Sequence, residues 1–557
     1  MGADPVLGAL AAACPAARPA EPGDAVAGVV PRFAASPATV AEASALLAAA
    51  AAQDLAVVPR GGGSKLGWGA PPRRCDLVVD TTALDQVVEH AAGDLVARVQ
   101  AGASVARLGE VLAAAGQQLA LDPPPAGLAV PGTGAGSAAG AGSEAGAGWG
   151  AGAAAGSAAR SGANGAAPEW LGATVGGTLA TGAAGPRRRR YGTPRDLIIG
   201  ITVVRADGTV AKSGGKVVKN VAGYDLGRLF TGSFGTLGLI VEAVFRLHPL
   251  PASAAYITVD CPGPDEAYRA VATVAGSDLA PSAVEIDRAA RGAPVRVAVL
   301  LEGDPDGTAE RAGLLCSLLG AGAAAWPSPP AWWGWPAAGD GRRGAGNGRP
   351  GAGDSQTAAG DVPADANGQP GSGSAPGGAA EPGSAGEPGG TGEPESAGEP
   401  GRAGAPGSAG EPGGAGGPEA GTLIRIAFWA AGLPRVLRMI DAAARDARLD
   451  PAVGGSAAAG VIYAGTGPDA DPAAVAAFVA GLRAAIARGD ADARPAAAPA
   501  PDSPPVLASA VVVHAPPGVR GLVDPWGPVP SLPLMRAVKD QFDPGHRMAP
   551  GRFAGGI

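Results

Sequence analysis

Residues 57–65 read VVPRGGGSK, an apolar run that ends in three consecutive glycines flanked by Arg60, Ser64 and Lys65. Glycine costs backbone entropy wherever it is ordered. Three in a row mark a place where the backbone itself must approach something closely. The flanks supply the frame. DLAVVP, just upstream, reads as a buried strand entering the glycine loop. Before it, Ser36-Pro37 reads as the N-cap and first position of a helix filled by TVAEASALLAAAAAQ. DLVVD (76–80) and DLVARVQAG (94–102) read as two more strands. Ser104 reads as the cap of a helix, VARLGEVLAAAG, that stops at Gly116. Short strands alternating with helices predict an α/β or α+β domain.

The chain has 557 residues, enough for two or three domains. Its 93 glycines and 55 prolines make up about a quarter of the residues, the range that signals embedded low-complexity sequence. Two such stretches stand out, 126–169 (Gly/Ala/Ser) and 336–421 (Gly/Pro/Glu). Neither can bury enough apolar surface to offset its ordering entropy, so both read as disordered insertions. In the second, glycine recurs at every third position from Gly383 to Gly416 except at Glu395; a solvated extended linker is the favoured reading of this collagen-like pattern.

A net charge of −8 argues against a general nucleic-acid binder. Cys14, Cys75, Cys261 and Cys316 are scattered without a C-x-x-C pair, which argues against an iron–sulfur or structural zinc site. His90, His248, His514 and His546 are equally dispersed, so no metal site is expected. No uninterrupted apolar run reaches the length of a membrane span. The N-terminus has an apolar patch but no preceding Lys or Arg, which predicts a cytoplasmic protein, with any membrane association made through partners.

The most informative stretch is 171–249. GATVGGTLATGAAG gathers small residues and hydroxyls; LIIGITVVRADGTVAKSGG reads as two strands joined at Asp207-Gly208, a strong hairpin signal; TGSFGTLGLIVEAVFRL reads as a Gly/Ser/Thr turn entering a long strand. Such loops present unhindered N–H donors, suited to a pyrophosphate or a carbonyl-rich heterocycle.

PRGGGSK, ATVGGTLATGAAGPRRRRYGTPRD, GGKVVKNVAGYDLGRL and GSFGTLGLIVE together resemble the flavin-binding half of the vanillyl-alcohol-oxidase-type (PCMH-type) FAD family. They are most similar to the FAD-binding (E) subunits of bacterial glycolate oxidases, and the ending LPLMRAVKDQFDPGHRMAPGRFAGGI is similar to that family's C-terminus. The resemblance implies an α+β protein. Its FAD-binding domain (24–250, after an N-terminal segment 1–23) has two α/β subdomains. Its cap domain, with an antiparallel sheet, comes from 251–335 and 422–529. A C-terminal segment, 530–557, returns to the FAD domain. It further implies that Arg60, Gly61, Gly62, Gly63 and Ser64 cradle the FAD pyrophosphate, with Pro123 in the next cofactor-contacting segment. Thr174, Gly176, Gly177, Thr181 and Gly182 would line the ribityl and isoalloxazine region. Gly235, Leu237, Gly238 and Ile240 would lie towards the adenine. With Ser64 and Lys65 after the loop and no histidine nearby, the FAD is expected to be non-covalent.

The implied function is oxidation of glycolate to glyoxylate beside a second flavoprotein subunit and an iron–sulfur subunit. The alternatives are a stand-alone D-lactate-like 2-hydroxy-acid dehydrogenase and a cofactor-free scaffold. No catalytic residue is assigned, because no general base stands out among four isolated histidines. The run Arg187–Arg190 reads as a solvated or subunit-facing loop. Tyr224 reads equally as a flavin neighbour or as a packed tyrosine, with Lys219 and Asn220 shaping its loop; for His514 an ordinary strand-end histidine is favoured over a flavin neighbour. The tryptophans of WPSPPAWWGW (326–335) read as a stacking surface or as the apolar edge of the cap.

Overall fold

A computed structural model describes residues 4–123, 172–215, 225–334, 421–489 and 508–557. The two low-complexity stretches, Lys219, Asn220 and Tyr224 lie outside the described residues.

The first sheet holds β1 (Arg18–Pro19), β2 (Phe33–Ala35), β3 (Val57–Arg60) and β4 (Leu77–Asp80) in the order β1-β2-β4-β3. β4 runs parallel to both β2 and β3. The helix Val40–Ala52 lays Ala43, Leu46, Leu47 and Ala50 on this sheet. It starts three residues later than the sequence reading placed it. Thr39, not Ser36, is the N-cap: its hydroxyl accepts from the Glu42 N–H at 3.1 Å, and Glu42 accepts from the Ala38 N–H at 2.9 Å. A reciprocal pair of this kind satisfies more orphan donors than a lone Ser-Pro start.

The second sheet is antiparallel: β5 (Val87–Ala91), β6 (Val96–Gln100), β8 (Ile198–Val204), β9 (Val210–Gly214) and β10 (Leu239–Arg246), in the order β5-β6-β10-β8-β9. β8 and β9 form the hairpin read at Asp207-Gly208, where Gly208 takes φ +85°. β10 is apolar on both faces because both are covered. Leu239 and Val241 pack with Leu46 and Leu77 towards the first sheet, while Ala243 and Phe245 pack with Leu108 and Leu179 on the other side. Ser104 is an N-cap by position, but its hydroxyl makes no cap bond; its helix, Val105–Ala113, ends before Gly116. A two-residue pair, β7 (Gln117–Gln118) with β11 (His248–Pro249), closes this half.

The cap is one eight-stranded antiparallel sheet. Its strands are β12 (Ser253–Cys261), β13 (Ala283–Arg288), β14 (Val295–Gly303), β15 (Ala324–Trp326), β16 (Leu423–Phe428), β17 (Ala452–Ser456), β18 (Val461–Gly465) and β19 (Ala508–His514), ordered β15-β12-β14-β13-β17-β18-β16-β19. The period-2 alternation of these strands decides what faces where. Val297, Val299, Ile286, Ile424 and Ile426 pack against the helices Pro264–Ala275, Pro305–Leu319, Leu433–Asp446 and Pro472–Arg488. The intervening residues, Glu302, Glu285, Arg425 and Tyr463 among them, lie on the opposite face, against the first half of the molecule. Trp333 meets Tyr256 edge-on at 5.1 Å and Arg296 stacks over Trp332, while Trp326 is exposed on the edge strand.

The four-arginine run is not a solvated loop. Arg187 donates from Nε and Nη2 to Asp122 at 2.8 and 2.6 Å and from Nη1 to Gln118 at 2.6 Å. Tyr191 donates to the buried Glu302 of the cap at 3.0 Å. Arg187 is held within the first half, because a buried carboxylate at Asp122 demands a paired cation, while the exposed Arg190 donates across to Ser282 Oγ at 3.3 Å and the Glu302 carbonyl at 3.4 Å of the cap.

Candidate cofactor and substrate site

The loop after β3 opens a cleft walled by Pro59 to Leu66, Thr174, Gly177, Ala180, Thr181, Phe234, Gly235 and Arg552. Three glycine segments far apart in sequence therefore meet. The reason for glycine is local. A Cβ on Gly61 would overlap the Thr174 hydroxyl, and one on Gly235 would come within 3.1 Å of Pro59. Thr174 is the N-cap of the helix Val175–Thr181, its hydroxyl accepting from the Gly177 N–H. The N–H groups of Gly61 to Lys65 donate to no protein acceptor among the described residues. Five adjacent donors are thus left open to a ligand.

The side chains add charge. Arg60 is consumed: it pairs with Asp24 at 3.0 Å and Asp80 at 2.8 Å, so only its backbone serves the loop. Lys65 is buried, donates only to Ser64 Oγ at 3.2 Å, and burial lowers its pKa to about 8. Arg552 donates from Nη2 to the Leu66 and Trp68 carbonyls at 3.0 and 2.9 Å; its Nη1 is buried without a partner, and burial lowers its pKa to about 10. Neither cation has a carboxylate partner among the described residues.

Of the residues expected at the site, Arg60, Gly61, Gly62, Gly63, Ser64, Thr174, Gly177, Thr181 and Gly235 come together in this cleft. The others stand elsewhere. The Gly176 N–H donates to the Ala101 carbonyl at 2.7 Å, and a Cβ there would press on Ala101, so this glycine sets helix-to-strand spacing. Gly182 ends the helix at φ +62° and lines a second cavity. Leu237 and Ile240 are buried in the core with Leu179 and Phe230; Gly238 packs on the Val204 carbonyl. Pro123 is buried beside Asp122. His514 bridges to Trp68, close to Gly67, and lies outside the walls of both cavities. Lys65, Phe234 and Arg552 are additions. Arg552 sits in the quoted PGRF ending, but only the returning C-terminal segment brings it to the cleft.

That segment is held by a buried ion pair. Lys539 donates to Asp543 at 2.6 Å and to the Thr236 and Met548 carbonyls at 2.7 and 2.8 Å; Asp543 also accepts from the Met548 N–H at 2.7 Å. Met548 in turn lies alongside β3, with the Ala549 N–H bonded to the Val57 carbonyl at 2.7 Å.

The second cavity lies between the glycine-rich half and the cap sheet. Thr181 and Phe234 line both cavities.

A family described as FAD binding domain matches residues 31–154 and 144–214. Over that stretch, about a third of its length, the chain is similar to FAD-binding domains. The glycolate oxidase subunit GlcD of Bacillus subtilis is 28% identical over 250 residues, 45% of this chain and 44% of that one. The glycolate oxidase subunit GlcE of Escherichia coli is 45% identical over 82 residues, 15% of this chain and 23% of that one. A D-lactate dehydrogenase of Archaeoglobus fulgidus is 41% identical over 113 residues, 20% of this chain and 25% of that one. The matched regions thus span half or less of these curated relatives. A solved alkyldihydroxyacetonephosphate synthase shares the fold at a TM-score of 0.51 and 14% identity, over 94% of this chain and 76% of that one.

The cleft fits FAD. Five free N–H groups, a side-chain-free wall at Gly61 and two cations without counter-charge suit a pyrophosphate and an electron-rich ring system. When bound, FAD supplies two-electron redox chemistry; the residues lining the cleft would hold and orient it.

Among the described residues no helix is long and apolar enough to cross a membrane.

Proposed function

We propose that the chain is the FAD-carrying oxidoreductase subunit of a glycolate oxidase complex, which oxidises glycolate to glyoxylate and passes the electrons on through a second flavoprotein subunit and an iron–sulfur subunit. The observation that carries the reading is the run of unspent N–H donors from Gly61 to Lys65, closed by Arg552. The likeness to two glycolate oxidase subunits supports the substrate class. Within this reading the cofactor contacts are Arg60 to Lys65, Thr174, Gly177, Thr181, Gly235 and Arg552. Pro123, Gly176, Gly182, Leu237, Gly238 and Ile240 act by shaping the backbone around them. The FAD is held non-covalently.

A second reading, a stand-alone D-lactate-like dehydrogenase, is favoured by the cationic cavity against the cap and by the D-lactate dehydrogenase likeness. Anaerobic titration of the purified holo chain with glycolate and with D-lactate, followed at the flavin band, separates the two. Bleaching by D-lactate without any partner supports the second. Bleaching by glycolate but not by D-lactate, with the electrons passed on once the partner subunits are added, supports the first. Gly62→Asp places a carboxylate where the pyrophosphate binds and should abolish the yellow colour. Stoichiometric FAD in that variant would sink the loop assignment.

A further inference from the structure

We propose that the cavity between the FAD-binding half and the cap sheet is a carboxylate subsite, in which Arg188 and Arg425 hold a small 2-hydroxy acid against the inner end of the cofactor cleft. The proposal rests on the flavoprotein reading above and adds to it a substrate site on this chain rather than on a partner.

Position is the first argument. Thr181 and Phe234 are walls of both cavities, so a ligand in the second lies next to whatever fills the inner end of the first. Phe234 adopts φ +57°, a conformation a bulky residue holds only when its surroundings impose it.

Charge is the second. Arg425 projects from β16, with Tyr463 and Val511 as its cross-strand neighbours on β18 and β19. It makes no ion pair or hydrogen bond among the described residues. Arg188 uses Nε to donate to the Gly185 carbonyl at 2.9 Å and has no ion pair among them. The walls around these guanidiniums are otherwise largely apolar: Trp68, Val511, Val513 and Phe234. Glu285, fully buried and accepting from Ser456 Oγ, lies within electrostatic reach of Arg188. Burial pushes its pKa up to about 8, so at neutral pH its uncharged form, which offsets nothing, predominates. Two permanent cations facing one low-dielectric space call for an anion, and a guanidinium fork matches a carboxylate bidentately.

The third argument is an orphan donor. Trp526 lines the same cavity, and its indole N–H is buried with no acceptor. A hydroxyl or keto oxygen next to the carboxylate would satisfy it, which selects 2-oxygenated acids over simple ones.

Oxalate is a small dicarboxylate that a flavin cannot oxidise in the manner of a 2-hydroxy acid, and it is the probe. Calorimetric titration of the holo protein with oxalate should show one saturable site. Arg188→Met and Arg425→Met should each weaken it by about 10- to 100-fold, the value of a charge-assisted hydrogen bond. Arg188→Lys and Arg425→Lys, which keep the charge and lose the fork, should fall in between. They also guard against a misfolded Met variant, as do circular dichroism and the FAD content of each variant. Glycolamide, the neutral analogue of glycolate, should bind no better to the wild type than to the variants. Holo protein that carries FAD yet binds no oxalate, or binds it equally in all variants, overturns the subsite and leaves the flavoprotein reading standing. A colourless protein overturns the flavoprotein reading, and the heat of oxalate binding still judges the arginine pair.

Discussion

Replacing Lys539 by methionine tests whether the returning C-terminus builds the cofactor cleft or merely lies on it. The Lys539 side chain is 1% exposed and that of Asp543 is 0% exposed. Burial lowers the Lys539 pKa, and Asp543 is its first electrostatic partner in the opposite direction. Methionine keeps the length and the apolar stem. It removes three donors at once, those to Asp543, Thr236 and Met548. The carboxylate of Asp543 is then left buried with only the Met548 N–H. Breaking a buried pair from one side costs about 3–5 kcal/mol, a large part of the roughly 5–15 kcal/mol that typically separates folded from unfolded. The effect should be felt at the cleft, because Thr236 adjoins Gly235 and the Met548 strip lies on β3, from which the glycine loop emerges. The expected result is a melting temperature lower by about 5–10 °C and FAD affinity reduced by at least about tenfold, read by quenching of flavin fluorescence. A double variant, Lys539→Met with Asp543→Leu, removes the stranded charge and should recover most of the loss, since apolar replacement of a whole buried pair is often neutral. A Lys539→Met loss below about 1 kcal/mol, or a double variant worse than the sum of the singles, would refute the reasoning.

Two further outcomes are expected. Gly61→Ala drives a Cβ into the Thr174 hydroxyl; it should cost about 1–3 kcal/mol, the usual range for overpacking, and weaken FAD in a fluorescence titration, with Thr174→Ala added to it restoring part of the affinity. Glu285 has a folded pKa raised from 4.5 to about 8, chiefly by burial. The neutral acid is what the fold favours, so its contribution is complete below pH 4.5 and is lost as pH rises through about 8, on the order of 4 kcal/mol in all. Glu285→Gln should therefore gain stability relative to the wild type between pH 5 and pH 8.5; parallel melting-temperature curves over that range would show that Glu285 is already ionised in the fold.

The sequence is legible where the constraint is local. The glycine run and the Asp207-Gly208 hairpin each follow from backbone sterics, and each is present in the structure. It is less legible where the constraint comes from elsewhere in the chain. Arg187 looks like one of four equivalent arginines until Asp122, 65 positions earlier, is seen to claim it. Leu237 and Ile240 belong to a glycine-rich stretch, yet β10 is covered on both faces and carries its apolar residues into two cores. Arg425 did carry a signal: a charge inside an apolar strand, in phase with Leu423 and out of phase with Ile424 and Ile426, must face something other than the helical side of the sheet.

The unpaired groups in this protein are not scattered at random, and their distribution links the fold to its proposed chemistry. Three cations elsewhere are each matched by a carboxylate: Arg187 with Asp122, Arg288 with Asp441, Lys539 with Asp543. Those of the two adjoining cavities are not: Lys65, Arg552, Arg188 and Arg425 have no carboxylate partner among the described residues. Unpaired cations on these walls cost the fold stability, unless ligands bring the missing negative charge. A pyrophosphate on one side of the Thr181–Phe234 wall and a carboxylate on the other would supply it. Both ligands would then be required for full electrostatic balance, and each would bind to a surface already arranged to receive it.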